Sequence, residues 1–323
     1  MLRNTIIKFK SIFFFFPVVL TMTSCLKDPV NQPPSPDPAR ARIEITDAPI
    51  DDANVKGVYV TVVDIKVDGV SWSGFDGKTT FDLLAYQQGQ TKLLGEGELD
   101  AKTYTEIVLI LDTETDANGD SPGCYVKDGQ DNKKKLAGGS TMDIKVKGNI
   151  ETKTGETTVG IIDLNLRKSI IYQIGSSTEF QFVTDPEFQT AVRLVDKAQT
   201  SAVKGDCTDG VSGSDKVIAY LYKKGEYDAN TEKFPQGVSQ IQFKNAVTSS
   251  VVASDGNFSL SFIESGTYEL HLIAYKADTT GKLQAKGELQ VNLIGSTLNL
   301  LGLNVTANEN IDMDMVVTGI LFF

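Results

Sequence analysis

Histidine and tryptophan each occur once in the 323 residues, and cysteine three times. A single imidazole, His271, excludes a zinc site of the usual multi-His or Cys-His kind. No glycine loop followed by Lys and Ser or Thr is present to cradle a nucleotide phosphate. No Gly-x-Ser-x-Gly elbow stands where a strand meets a helix, so a serine nucleophile of that type is missing too. Long apolar runs are absent: the block Ile12–Leu20 is nine residues long and contains Pro17, whereas a membrane-crossing helix needs about 20. Helical periodicity is scarce, with only Phe81–Leu94 spaced for a helical turn or two. Positive charge is in deficit, 31 Lys and Arg against 42 Asp and Glu for a net −11. That excess of acid argues against a nucleic-acid partner, which requires a basic face, and against docking on anionic lipid by charge.

The first residues do carry a pattern. Arg3, Lys8 and Lys10 precede the apolar block with no acid among them, and Thr21-Met-Thr-Ser-Cys25 follows it. Charged region, short apolar region and small residue before a cut site are the parts of a secretion signal. The order resembles a lipoprotein signal peptide, residues 1–24, with cleavage before Cys25 and fatty acylation (palmitate) of that cysteine. Met22 stands where such signals usually carry Leu. Cleavage would remove three positive charges and take the net charge from −11 to −14. Residues 25–40 then form a stalk: five of the ten prolines fall between Leu26 and Pro38, and such a segment spans ~3.1 Å per residue where it is polyproline-like. The expected location is the cell envelope, tethered to the outer membrane by lipid, with Lys27-Asp28 resembling part of a cell-surface export signal.

Past the stalk the dominant period is two, which places alternate side chains on opposite faces of a strand. Met142, Ile144 and Val146 alternate with Asp143, Lys145 and Lys147, and Phe258, Leu260 and Phe262 alternate with Asn257, Ser259 and Ser261. Val58–Val63 and Ile107–Leu111 are apolar nearly throughout, as strands covered on both sides are. Asp68-Gly69, Asp76-Gly77, Asn118-Gly119, Asp128-Gly129 and Asp255-Gly256 supply turns between strands. The fold expected is all-β: two antiparallel β-sandwich-like domains behind the signal peptide and the Pro-rich stalk. A polar, glycine-containing stretch sets the boundary, giving domains at 41–199 and 215–323 joined by a linker at 200–214.

Three segments, Ile43–Asp51, Val58–Val62 and Leu99–Leu111, resemble a bacterial lipoprotein domain known as domain of unknown function 4382. Ile162-Asp-Leu-Asn-Leu-Arg-Lys-Ser-Ile-Ile171, Phe180–Val183 and Ala191–Val195 resemble its later signature. That resemblance implies fold and location and assigns no catalytic residue. Ala253–Leu260 and Glu264–Leu270 are similar to transthyretin-like or carboxypeptidase-regulatory-like β-sandwiches, through a turn, a strand and a Gly-Thr-Tyr step.

Candidate site residues are few. Asp112, Glu114, Asp116, Asn118 and Asp120 alternate oxygen ligands ahead of Gly119, as Ca²⁺ loops do, but Tyr125 occupies the place where an EF-hand needs a bidentate Glu. The segment reads either as a solvated acidic loop or as a Ca²⁺ site outside the EF-hand pattern; no other cofactor is expected. Trp72 and Phe75, in a glycine-rich turn, either stack on a sugar ring or plug the end of a sandwich. Cys124 and Cys207, 83 positions apart, either form a disulfide, which export permits, or are separate buried thiols. His271 reads as a surface histidine opposite Leu270 and Leu272. With no pair of acids singled out, the expected role is non-catalytic binding or adhesion at the surface, with a glycan or envelope protein as ligand. The alternatives are assembly of an outer-membrane complex and, last, polysaccharide hydrolysis.

Overall fold

The computed structural model describes residues 37–49, 55–172, 179–279 and 281–323. The expected signal peptide, Cys25 and the stalk as far as Pro36 lie outside the described residues. Among those described, thirteen strands make a first sheet: β1 (Ala39–Ala48), β2 (Gly57–Val67), β3 (Val70–Ser71), β4 (Thr79–Asp82), β5 (Lys92–Leu99), β6 (Thr103–Asp112), β7 (Tyr125–Lys127), β8 (Lys133–Ala137), β9 (Thr141–Glu151), β10 (Thr157–Asn165), β11 (Ile170–Tyr172), β12 (Phe180–Phe182) and β13 (Val192–Asp196). Eight make a second: β14 (Thr200–Thr208), β15 (Lys216–Lys223), β16 (Thr248–Val252), β17 (Asn257–Glu264), β18 (Gly266–Ala277), β19 (Leu283–Ile294), β20 (Leu303–Val305) and β21 (Ile311–Phe322). The chain is all-β, with three short helices, α1 (Leu166–Ser169), α2 (Asp185–Ala191) and α3 (Ala229–Glu232). Both sheets belong to one compact unit, Asp37–Phe323.

The first sheet runs β11-β12-β8-β7-β2-β6-β9-β13-β10-β1-β5, with β3 and β4 also on β2. Its β5 end returns to the chain after β3: Phe75 bridges Gly95, and the Glu96 N–H donates to the Gly74 carbonyl at 2.9 Å. Seven strands from β2 round to β5 thereby close into a near-barrel. Trp72 occupies the seam, buried to 6% exposure, its indole N–H donating to the Glu98 carbonyl at 3.2 Å. Gly74 lies flat on the indole, where a Cβ would overlap the ring, and Gly97 leaves room for Gly74 in turn. Inside are the alternate apolar residues of these strands, Ile43, Ile45, Val60, Ile107, Leu109, Val146 and Ile162 among them.

Turn chemistry is as the dipeptides imply at Asp68-Gly69, where both residues take positive φ (52° and 77°) in the two-residue connection from β2 to β3, the requirement of a type I′ hairpin. Helix within Phe81–Leu94 amounts to one 3₁₀ turn, Leu83–Tyr86, capped by the Asp82 carboxylate on the Leu84 N–H. Two features differ from the sequence reading. Four strand pairs, β1–β10, β8–β12, β9–β13 and β14–β21, run parallel, because period two fixes which face a residue takes and says nothing of strand direction. Residues 200–208, read as linker, are β14, paired on both sides by β17 and β21. Their polar side chains sit on a strand whose Val203 and Cys207 still reach the core.

In the second sheet, β15 is buried on both faces from Val217 to Tyr222. One face joins the core with Leu260, Leu272 and Met315. The other is covered by the long crossover from β15 to β16, whose Phe243 stacks on Tyr220 at 4.8 Å and packs with Ile218, Tyr222, Ile273 and Tyr275.

Candidate functional site at the junction of the two sheets

The segment Ile162–Ile171 holds four charged or amide residues inside an otherwise apolar run, and their burial explains the pattern. Asp163, on β10, takes Arg193 of β13 at 2.9 and 2.6 Å, and the same guanidinium donates across the junction to the Phe262 carbonyl at 2.7 Å. From α1, Arg167 donates to the carbonyls of Gln242 and Phe243, the latter at 2.8 Å, and lies 4.9 Å from the Tyr220 ring centroid. Lys168, next along, donates to the Ala246 carbonyl at 3.1 Å. Burial, with Arg167 beside it, brings the Lys168 ammonium down to about 7, since desolvation disfavours the charged form. From α2, Glu187 accepts the N–H of Ser239 at 3.0 Å and the hydroxyls of Ser239 and Thr184. Burial opposes ionisation of Glu187, but these donors outweigh it and hold the carboxyl at about 2.

The charged side chains of the first sheet thus fasten one stretch of the crossover, residues 239–246. That stretch is strained: Gln240 and Phe243 have φ of 54° and 50°, a conformation costing non-glycine residues roughly 1–3 kcal/mol each and kept only where surroundings enforce it. Its residues 239–242 line a cleft of about 360 Å³ together with Ile170, Ile171, Tyr172, Phe180, Lys282 and Gln284. Tyr172 and Phe180 pack ring on ring at 4.7 Å. Gln240, Gln242 and Gln284 set amides around an apolar floor, and Val238 stands at the mouth, 81% exposed. A hollow at a module junction that mixes apolar side chains with a few amides and two cations, Arg167 and Lys282, has the make-up of a ligand site.

The residues singled out from sequence lie elsewhere and do not come together. Asp112 accepts the N–H groups of Glu114 (2.8 Å) and Thr115 (3.0 Å) and pairs with Lys78 at 2.8 Å. Burial would raise its pKa, but Lys78 and those N–H groups win and hold the carboxyl far below the usual range. Asp116 accepts the N–H groups of Asn118 and Asp120, and Glu114 pairs with Lys135 at 2.7 Å. The carboxylates of Asp112, Glu114 and Asp116 are turned onto their own loop or a lysine, and no group of three acids, His or Cys converges as a metal site among the described residues. Trp72 is the barrel seam, buried to 6% exposure, and Phe75 its bridge, half-buried and packed on the core. Cys124 and Cys207 are free thiols in separate cores, each pushed up to about 12 by burial.

The surface reading of His271 is corrected. It is 5% exposed, its Nδ1 2.6 Å from Glu288 and its ring stacked on Tyr227 at 3.7 Å. Glu288 accepts the Tyr227 hydroxyl at 3.0 Å. The outward face of β18 reads polar in sequence because its cover comes from the crossover rather than from a second sheet. Glu232 of α3 is buried in the same layer, accepting from Tyr222, Asn245 and Gln236. Sequence reasoning passed over the cleft. The available signal was the charge cluster inside Ile162–Ile171, together with the unbroken apolar run Val217–Tyr222, which marks a strand covered twice.

Fold and site together define an all-β protein of two joined sheets with a cleft between them. Residues 38–183 match the family model described as domain of unknown function (DUF4382), a span that holds six of the seven near-barrel strands and the cleft residues Ile170, Ile171, Tyr172 and Phe180, with β13 beyond it. No curated protein matches the chain in sequence. Among solved structures, the TIE protein of Bacillus anthracis is 12% identical over 86% of this chain and 34% of its own, at a TM-score of 0.20; this chain spans about a third of its length. BcpA, the major pilin subunit of Bacillus cereus, is 10% identical over 87% and 70% (TM-score 0.19). The fimbrial anchor protein Mfa2 from Porphyromonas gingivalis is 13% identical over 86% and 90% (TM-score 0.20). Superpositions at such scores bear on neither fold nor function.

Proposed function

We propose that this chain is a lipid-anchored, non-catalytic binding protein of the cell envelope, tethered at Cys25 to the outer membrane, that takes its glycan or protein ligand in the junction cleft. The observation that carries the reading is the strained stretch at Gln240 and Phe243, fastened by Arg167, Lys168 and Glu187, whose residues 239–242 line the cleft. Backbone held out of its comfortable range by buried charge is what a preformed site requires. The anchor rests on the order of charge, apolar block and Ser24-Cys25, followed by the proline-rich stalk. The non-catalytic part rests on the engagement of His271, Glu288 and Glu232 with one another's neighbours in packed, aromatic surroundings. Val238→Trp would fill the mouth of the cleft without touching the core. Loss of retention on immobilised envelope polysaccharide or protein by that variant, with unchanged thermal unfolding, is the expected result; equal retention would sink the assignment.

A second reading, assembly into an outer-membrane complex, is favoured by exposed apolar residues: Phe234 at 57%, Leu321 at 60% and Phe322 at 63%. Co-purification of a stoichiometric partner that is lost in Phe322→Ser would favour it over ligand capture.

A further inference from the structure

The lining of the cleft has a sign. The chain carries an excess of eleven acids over bases, yet among the described residues no carboxylate lines this hollow; its charged lining residues are Arg167 and Lys282. Its other polar side chains include Ser239 and the amides of Gln240, Gln242 and Gln284, and Tyr172 presents a half-buried ring beside them. All three amides are steadied from behind: Gln240 donates to the Gly237 carbonyl at 2.7 Å, Gln242 to the Lys233 carbonyl at 2.6 Å and Gln284 to the Asp278 carboxylate at 3.2 Å. Each amide keeps its carbonyl oxygen for an incoming donor. Amides and an aromatic face match a hydroxylated ring with one apolar side, and cations without acids match a carboxylate on that ring.

From this we infer that the cleft binds an acidic saccharide, a segment of uronic-acid units whose ring packs on Tyr172 and whose carboxylate meets Lys282. The inference rests on the reading of the cleft as the binding site and adds the class of ligand. Gluco-, manno- and galacturonic acid tetramers differ in hydroxyl configuration and share the carboxylate, so together they test the shared chemistry.

The experiment is calorimetry on the full chain in detergent with those three tetramers and with the same tetramers after their carboxyl groups are reduced to hydroxymethyl. At least one acid form is expected to bind, its reduced form at least tenfold more weakly, with affinity falling as salt is raised. Lys282→Gln is expected to weaken the acid form at least fivefold and leave the reduced form unchanged, while Tyr172→Ala and Val238→Trp weaken both. Equal binding of acid and reduced forms, with Lys282→Gln silent, overturns the charge assignment and leaves the cleft in place. Binding indifferent to Tyr172→Ala and Val238→Trp overturns the location and the cleft reading with it. No binding of any tetramer overturns the saccharide class; retention of another envelope ligand that Val238→Trp abolishes would then preserve the cleft alone.

Discussion

The acidic loop Asp112–Asp120 and the crossover 224–247 make an instructive pair. The first is dense in oxygen ligands, and its Asp112 and Asp116 accept the N–H groups two to four residues ahead of them. Asp and Asn close turns in this way whenever the backbone allows. The second has no motif, yet buried charges from α1 and α2 converge on it. Ligand density along the chain is thus a poor guide to a site; convergence of groups from distant segments is a better one, and it is visible only in space.

That contrast can be broken at its strongest point by Arg193→Met. The Arg193–Asp163 pair is largely buried, at 19% and 6% side-chain exposure, and removing one partner of such a pair costs about 3–5 kcal/mol. Denaturant unfolding is expected to show that loss, and a change below ~1 kcal/mol would mean that the junction contributes little to the fold. Glu187→Gln comes next. Its carboxylate holds Ser239, and stranding those donors costs roughly 1–3 kcal/mol, with ligand retention falling further than stability if the wall of the cleft relaxes.

Lys168 gives the junction a pH signature in the neutral to alkaline range. Its amine sits near 7 when folded against 10.5 for an ordinary lysine, so between those values the unfolded chain binds the extra proton and stability rises with pH. The slope reaches at most ~1.4 kcal/mol per unit and vanishes below about 7, where both states are protonated. The difference between wild type and Lys168→Met, followed by denaturation from pH 6.5 to 9.5, is expected to grow over that window. A difference independent of pH would show the amine charged throughout.

The smallest effects belong to the loop. Glu114→Gln removes an exposed pair with Lys135, worth about 0–1 kcal/mol, and millimolar Ca²⁺ is expected to leave the melting temperature where EDTA does. A Ca²⁺-dependent rise would establish the loop as a metal site. Dithiothreitol is likewise expected to change nothing, since Cys124 and Cys207 are already free.

Much of the fold was legible. Alternation at Met142–Lys147 and Asn257–Leu260 puts apolar side chains inward, and Asp68-Gly69 turns the chain as its dipeptide requires, because both effects act over two to four residues. The alternation breaks at Phe262 (φ 57°), which packs on Ile161 and Val195 while Ile263 takes the core place. His271 and Trp72 show where that reach ends. His271 alternates with leucines as a solvent-facing residue would, and only the crossover folding over β18 buries it. Trp72 sits in a glycine-rich turn as an exposed aromatic might stand, and only the return of β5 makes it a seam.

By itself, then, the sequence determined the strand character, the turns, the faces of each strand and the order of segments at the N-terminus, all of them consequences of local sterics and of the two-residue pleat. Tertiary structure alone decided the parallel pairs, the two separate thiols, the occupied carboxylates and the cleft. Those depend on which distant segments meet, and the free energy that selects the meeting, burial of apolar surface with every enclosed charge partnered, is a property of the whole packed chain rather than of any window along it.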